Sequence, residues 1–174
     1  MLGSAVCMDK DIAKRLLREA GLPIADFITV RDNQAVDFDA VVKKLGLPFF
    51  LKPCNMGSSV GVAKIKSRAD FLPALQKAFE HDRKVILEQA IVGQEVECAV
   101  LGNEDPQASI VGEIIPHGEF YSYEAKYLDE NGASYAIPAN LSDQSIKQVQ
   151  ELAIAAFRVL CCEGMARVDF FLTA

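Results

Sequence analysis

The chain has 174 residues, 51% of them apolar, and a net charge of −6, which suits one ordinary domain or two small ones with a packed core. Without clustered Lys and Arg it is a poor binder of nucleic acid, and no apolar run approaches the ~18 residues that cross a bilayer. No apolar h-region with a cleavage site follows the N-terminus, and the five cysteines, an odd number with no C-x-x-C spacing, suit neither a disulfide framework nor a zinc site. These features predict a cytoplasmic protein with reduced thiols and small-molecule partners.

The segments alternate between helical and strand patterns. A first helix is predicted from Asp9 to Ala20, with Ile12, Leu16, Leu17 and Ala20 on one face and Gly21 and Pro23 as its stop. A strand follows at Ala25 to Val30. Asp37 to Leu45 turns Phe38, Val41, Val42 and Leu45 inward, and after Gly46 and Pro48 the strand Phe49 to Leu51 delivers Lys52 to its end. Cys54 to Gly61 is a loop of small residues leading to a strand through Ile65. Ser67 and Asp70 form a capping box for a helix to about Glu80, and Lys84 to Gln89 is the next strand.

After Gly93 the apolar period shortens towards two, in Glu95 to Leu101 and Ser109 to Ile115, which suggests a second domain. Phe120 to Tyr127 is aromatic and charged without clean periodicity, and Tyr135 to Ile137 reads as a short strand. Ser142 opens a helix carrying Ile146, Val149, Ala153, Ala156, Phe157 and Leu160, ended by Gly164. Met165 to Leu172 is a last strand with no turn residue or cap behind it, a pattern expected of a truncated chain.

Three segments carry chemistry. Lys52-Pro53 followed by Asn55-Met56-Gly57-Ser58-Ser59-Val60-Gly61 sets an ammonium beside a loop whose N–H and hydroxyl donors can wrap a polyphosphate; the bland alternative is a Gly-Ser hairpin with a solvated Lys. The Walker order is excluded, because the Lys precedes the loop and the loop leads to a strand. Glu88, at the end of its strand, and Glu95 have the acceptors that an adenine amine and ribose hydroxyls need, and Ile91 could pack on the base; otherwise this is a solvated strand end. In Arg167-Val168-Asp169 the charged pair shares one strand face, as a phosphoryl contact and an Mg2+ ligand would, or as a structural salt bridge.

Taken in order, Gly3 to Lys10, Lys52 to Gly61, Glu88 to Cys98, Tyr123 to Tyr127 (YEAKY) and Met165 to Asp169 resemble the D-alanine:D-alanine ligases of the ATP-grasp superfamily, over nearly the whole chain. The resemblance implies an α+β fold of two small subdomains with antiparallel sheets clasping ATP: a linker and first helix over 1–20, a central subdomain over 21–91 and a C-terminal one over 92–174. It also implies that Lys10 and Lys52 contact the α and β phosphates, that Ser58 and Ser59 lie in the closing loop, and that Glu88, Gln89, Ile91 and Glu95 hold adenosine. Lys126 would reach the γ phosphate and Tyr127 would pair with Ser58. Arg167 would stabilise the phosphorylated intermediate, and Asp169 would bind Mg2+ or Mn2+. His81 and His117 match no motif and read as surface residues.

In this family an N-terminal domain for the first D-alanine and a later Glu and Asn of the metal site complete the enzyme. Neither is found in these residues, so dipeptide formation is expected of a longer, homodimeric parent that makes peptidoglycan precursor. Tyr127 goes with an amine acceptor over D-lactate. The rival reading is a non-catalytic nucleotide-binding remnant.

Overall fold

The computed structural model describes residues 2–117 and 132–173. Helices α1 (Leu2–Met8) and α2 (Lys10–Glu19) lead into β1 (Phe27–Arg31), α3 (Phe38–Leu45), β2 (Phe49–Pro53), β3 (Ala63–Ile65), α4 (Arg68–Phe79) and β4 (Lys84–Gln89). Then come β5 (Gln94–Gly102), β6 (Gln107–Pro116), β7 (Ala133–Ala136), α5 (Asp143–Val159) and β8 (Gly164–Leu172). The strands form two four-stranded antiparallel sheets, ordered β1-β4-β2-β3 and β7-β6-β5-β8.

Alternation along β2 and β4 sets the character of the first sheet. Phe49, Leu51, Val85 and Leu87 point to the face covered by α3 and α4 and are fully buried there. Phe38, Phe49 and Phe71 pack with ring centroids 5.5–6.3 Å apart, which fixes both helices against that face. Helix α3 is bounded as its sequence dictates, with Asp37 accepting from the Asp39 N–H at 3.0 Å and Gly46 leaving at φ 75°. At α4 the Asp70 carboxylate accepts from the Ser67 N–H at 2.9 Å, completing the expected capping box.

The second sheet buries Val96, Cys98, Val100 and Val111 under Val149, Ala153 and Phe157 of α5. A register shift between Cys98 and Val100 marks a bulge, and there the Ala99 N–H donates to Ser109 Oγ at 3.0 Å. On β8, Ala166, Val168 and Phe170 face α5, so Met165, Arg167, Asp169 and Phe171 take the opposite, exposed face.

Three expectations need correction. The first twenty residues hold two helices, not a linker and one: α1 has neither caps nor an apolar period to announce it, and its close seat against the turn after α5 holds it. In α2 the predicted apolar stripe is not the buried face, since Ile12 and Leu16 remain 40% and 39% exposed and Asp11 is buried at 5%. The sheet face beneath presents Lys52, Lys84 and Glu88 around buried Phe27 and Ile86, and α2 meets those charges with Asp11 and Lys14. Strand β7 begins two residues earlier than expected, because Ala133 and Ser134 pair with Pro116 and Ile115 of β6, whereas Ile137 is left 63% exposed before Pro138.

Candidate functional site

Helix α2 lies on the face of the first sheet that α3 and α4 leave open. Asp9 caps it, accepting the N–H groups of Asp11 and Ile12 at 3.1 and 3.2 Å, and thereby sets the rotation that points Lys10, Asp11 and Lys14 at the sheet. Lys84, rising from β4, meets Asp9 at 2.5 Å and Asp11 at 3.4 Å; Asp11 also accepts from Thr29 Oγ1 at 2.7 Å and from Arg15 Nε at 2.6 Å. This buried knot fixes where Lys10 must be.

Lys10 Nζ donates to three carbonyls of the strand end and loop after β2, those of Pro53 at 3.1 Å, Cys54 at 3.3 Å and Met56 at 2.5 Å. Its pKa is pushed down, first by burial and then by the neighbouring ammonium of Lys52. Asn55 holds the loop from below, its N–H and Nδ2 both donating to Asp82 Oδ2 at 2.7 and 2.9 Å. Ser58 and Ser59 follow with φ of 54° and 59°, a left-handed pair that turns the chain sharply. At Gly61, φ 68°, an added Cβ would fall 2.8 Å from both Pro53 Cγ and His81 Cδ2, so the loop folds back on the sheet edge and requires glycine.

Glu88 is the centre of charge. Its carboxylate bonds Lys52 on one side and lies 2.5 Å from Lys14 Nζ on the other. Burial acts to raise its pKa, but Lys52 and Lys14 together hold it below the ordinary carboxylate value. Lys14 was not singled out from the sequence; its position one helical turn beyond Lys10 is the signal that could have found it. Gln89 and Ile91 are half-buried where the chain leaves β4, and half-buried Glu95 is the second residue of β5.

On the second sheet Arg167 and Asp169 form a fork, with Nε and Nη2 donating to the two carboxylate oxygens at 2.8 and 3.0 Å. Glu97, directly opposite Asp169 in the β5–β8 ladder, brings Oε2 within 3.1 Å of Arg167 Nη1, although that buried oxygen accepts no well-aligned hydrogen bond. Glu97 is a second residue the sequence reading passed over. The structure thus gathers Lys10, Lys52 and Glu88 with the Ser58–Ser59 loop on one sheet, and Arg167 with Asp169 on the other. Lys126 and Tyr127 lie outside the described residues. His81 and His117 are exposed as expected. The Cys54 thiol is buried and pushed up to about 12 by that burial, the opposite of what a nucleophile needs.

Residues 16–174 match the family described as D-ala D-ala ligase C-terminus. The chain belongs to this family. It is similar to D-alanine--D-alanine ligase A of Chromobacterium violaceum, 56% identical over 99% of this chain and 48% of the relative, and to that of Escherichia coli, 52% identical over the same shares. Among solved structures, the D-alanine-D-alanine ligase from Coxiella burnetii superposes with a TM-score of 0.85 at 38% identity, covering 99% of this chain and 45% of that one. The VanG D-Ala:D-Ser ligase from Enterococcus faecalis does so with 0.86 at 35%, covering 99% and 50%. The α+β fold with antiparallel sheets is that of the ATP-grasp ligases. The chain spans about half the length of the curated relatives it matches. Among the described residues no helix is long and apolar enough to cross a membrane.

Proposed function

We propose that this chain is the nucleotide-binding part of an ATP-dependent ligase that joins two D-alanines through a D-alanyl phosphate for peptidoglycan precursor synthesis. The observation that carries the reading is that Lys10 bonds the carbonyls of Pro53 and Met56 at the start of the loop containing Ser58 and Ser59, with the ammonium of Lys52, paired to Glu88, close by. Two ammoniums and a left-handed serine pair offer an anion cradle, with Glu88 and Asp82 as the nearby carboxylates, and the family match suggests the identity of that anion. We divide the chain at about residue 91, the first sheet and the second forming the two halves that hold ATP, with Gln89, Ile91 and Glu95 at the crossing for adenosine.

For a divalent cation, Mg2+ or Mn2+, the donor set fits: Asp169 offers a half-exposed carboxylate, and such ions take one or two carboxylates together with substrate phosphates. When bound, the ion would neutralise charge on the transferring phosphoryl group. Arg167 would act on the same group, and its two hydrogen bonds to Asp169 join the pair on one strand face. Lys126 would approach the γ phosphate and Tyr127 would pair with Ser58, favouring an amine acceptor. Resemblance to the family supports a cytoplasmic homodimer.

Calorimetry with Mg·ATP tests the reading. The chain should bind, and Lys52→Ala should weaken binding roughly tenfold to a hundredfold, the loss of one charge-assisted contact. A folded chain that takes up no nucleotide, or a Lys52→Ala variant that binds as well as the parent, contradicts it.

A further inference from the structure

Away from the charged cluster, α1 and the turn after α5 bring thiols together. Cys7 and Cys162 are 155 positions apart in sequence, yet their Sγ atoms are 3.5 Å apart. The backbones that carry them are closely docked: an added Cβ at Gly3 would lie 2.5 Å from the carbonyl oxygen of Cys161 and 2.9 Å from Cys162 Cα. A pocket of about 380 Å³, lined by Gly3, Ser4, Cys7, Cys161, Cys162 and Met165 among others, opens beside the pair and gives a small molecule access. A disulfide requires ~2.05 Å between sulfurs, so the pair must close by about 1.5 Å, within the reach of side-chain rotation at the exposed Cys7.

We propose that Cys7 and Cys162 form a dithiol site that reacts with a low-molecular-weight disulfide and becomes an intramolecular disulfide clamping α1 to the turn that leads into β8. Cys7 reacts first because it is exposed, whereas the half-buried Cys162 thiol is pushed up, by burial first and then by Cys7 itself. The Cys7 thiolate attacks one sulfur of the small disulfide, whose S–S bond breaks, and the departing thiolate takes up the proton that Cys7 released. The sulfur of Cys162 then attacks Cys7 Sγ in the mixed disulfide, and the second small thiolate leaves with the proton from Cys162. Two protein thiols are oxidised and one small disulfide is reduced to two thiols. Cys161 is excluded by position, for the Sγ contact belongs to Cys162 and Cys161 sits in a left-handed turn at φ 54°.

The bond has a consequence that rests on the nucleotide reading above. Lys10 follows Cys7 by three residues and Arg167 follows Cys162 by five, so the clamp ties the segment of a phosphate-binding lysine to the strand that carries Arg167 and Asp169.

The test treats the reduced full chain with glutathione disulfide, blocks remaining thiols with an alkylating agent, and maps peptides by mass spectrometry. A Cys7–Cys162 cross-link is expected, reversed by dithiothreitol, absent in Cys7→Ser and retained in Cys161→Ser. Amide exchange in Leu2–Met8 should slow by on the order of tenfold in the oxidised form, as a covalent tether adds to the docking of α1. Separate glutathione adducts, free thiols at both positions, or a cross-link to Cys161 instead would overturn the site, and unchanged exchange in the cross-linked chain would overturn the clamp. ATP titration of both forms separates the two readings. A reduced chain that binds no ATP sinks the nucleotide reading and leaves the cross-link result standing, whereas equal affinity in both forms sinks only the link between them.

Discussion

Replacing Glu88 with Gln tests whether the charged floor under α2 is held together as described. The carboxylate is 14% exposed, with Lys14 at 16% and Lys52 at 26% on either side. Glutamine keeps the shape and one acceptor but leaves two ammoniums facing each other with no counterion. Two unit charges ~4 Å apart interact by about 4 kcal/mol at an effective dielectric near 20, and removal of one partner from a buried pair typically destabilises by about 3–5 kcal/mol. Partial exposure of both lysines reduces this, so the expected loss is about 2–3 kcal/mol at neutral pH, read as a lower urea midpoint with an unchanged slope. The pH dependence gives a second check. The Glu88 carboxyl has a lower pKa folded than unfolded, so its contribution is complete above its ordinary value of about 4.5 and drains away as pH falls through the folded value. The gap between parent and variant should therefore close under acid conditions. A loss below about 1 kcal/mol at pH 7, or a gap that stays constant down to pH 3.5, would refute the reasoning.

Gly3→Ala sets a helix-propensity gain of about 1 kcal/mol against a backbone clash at 2.5 Å; the clash should win, giving a net loss of roughly 1–2 kcal/mol and faster proteolysis of α1. Phe71→Ala empties a site that is 1% exposed between Phe38 and Phe49, and should lower stability by about 3–5 kcal/mol in thermal unfolding. Timed thiol labelling of the native chain should reach Cys7 and Cys161 at least about a hundredfold faster than Cys54, whose thiol is buried and pushed up to about 12. Equal rates would contradict the burial of Cys54.

Elements with local signatures were legible in the sequence. Asp37 and Gly46 bound α3, Ser67 and Asp70 cap α4, and period-two runs mark β5 and β6, because each signature is satisfied by neighbours in the chain. What failed depends on distant partners. α1 has no apolar period, and Gly3 makes sense only against the distant Cys161. The orientation of α2 was misjudged because an apolar stripe normally faces inward, and only the pairing of β1, β4 and β2 reveals that the surface below it is charged. Within the site, Lys52, Glu88, Arg167 and Asp169 could be picked out because charge at a strand end or inside an apolar strand is unusual. Lys14 had only its place one helical turn beyond Lys10 to mark it, and Glu97 had no mark at all, since an alternating glutamate looks like solvated surface until its partner is placed.

The charged face under α2 has its own logic. A site for a polyphosphate must present cations, yet cations left unpaired in a half-buried floor repel one another and lose hydration. Here each is supplied with an internal partner: Lys84 with Asp9 and Asp11, Lys14 and Lys52 with Glu88, and Lys10 with three carbonyls. Such partners differ in how firmly they hold. The Lys84 knot is the most buried and also caps α2 through Asp9, so it serves as foundation. Carbonyl oxygens carry only partial charge, and one carboxylate is shared between two ammoniums, so on the nucleotide reading Lys10 and Lys52 are the ones that would turn towards an incoming anion. On the nucleotide reading, the sheet holds its phosphate-binding charge against a shared carboxylate and carbonyl oxygens, while the Lys84 ion pairs fix the helix that delivers it.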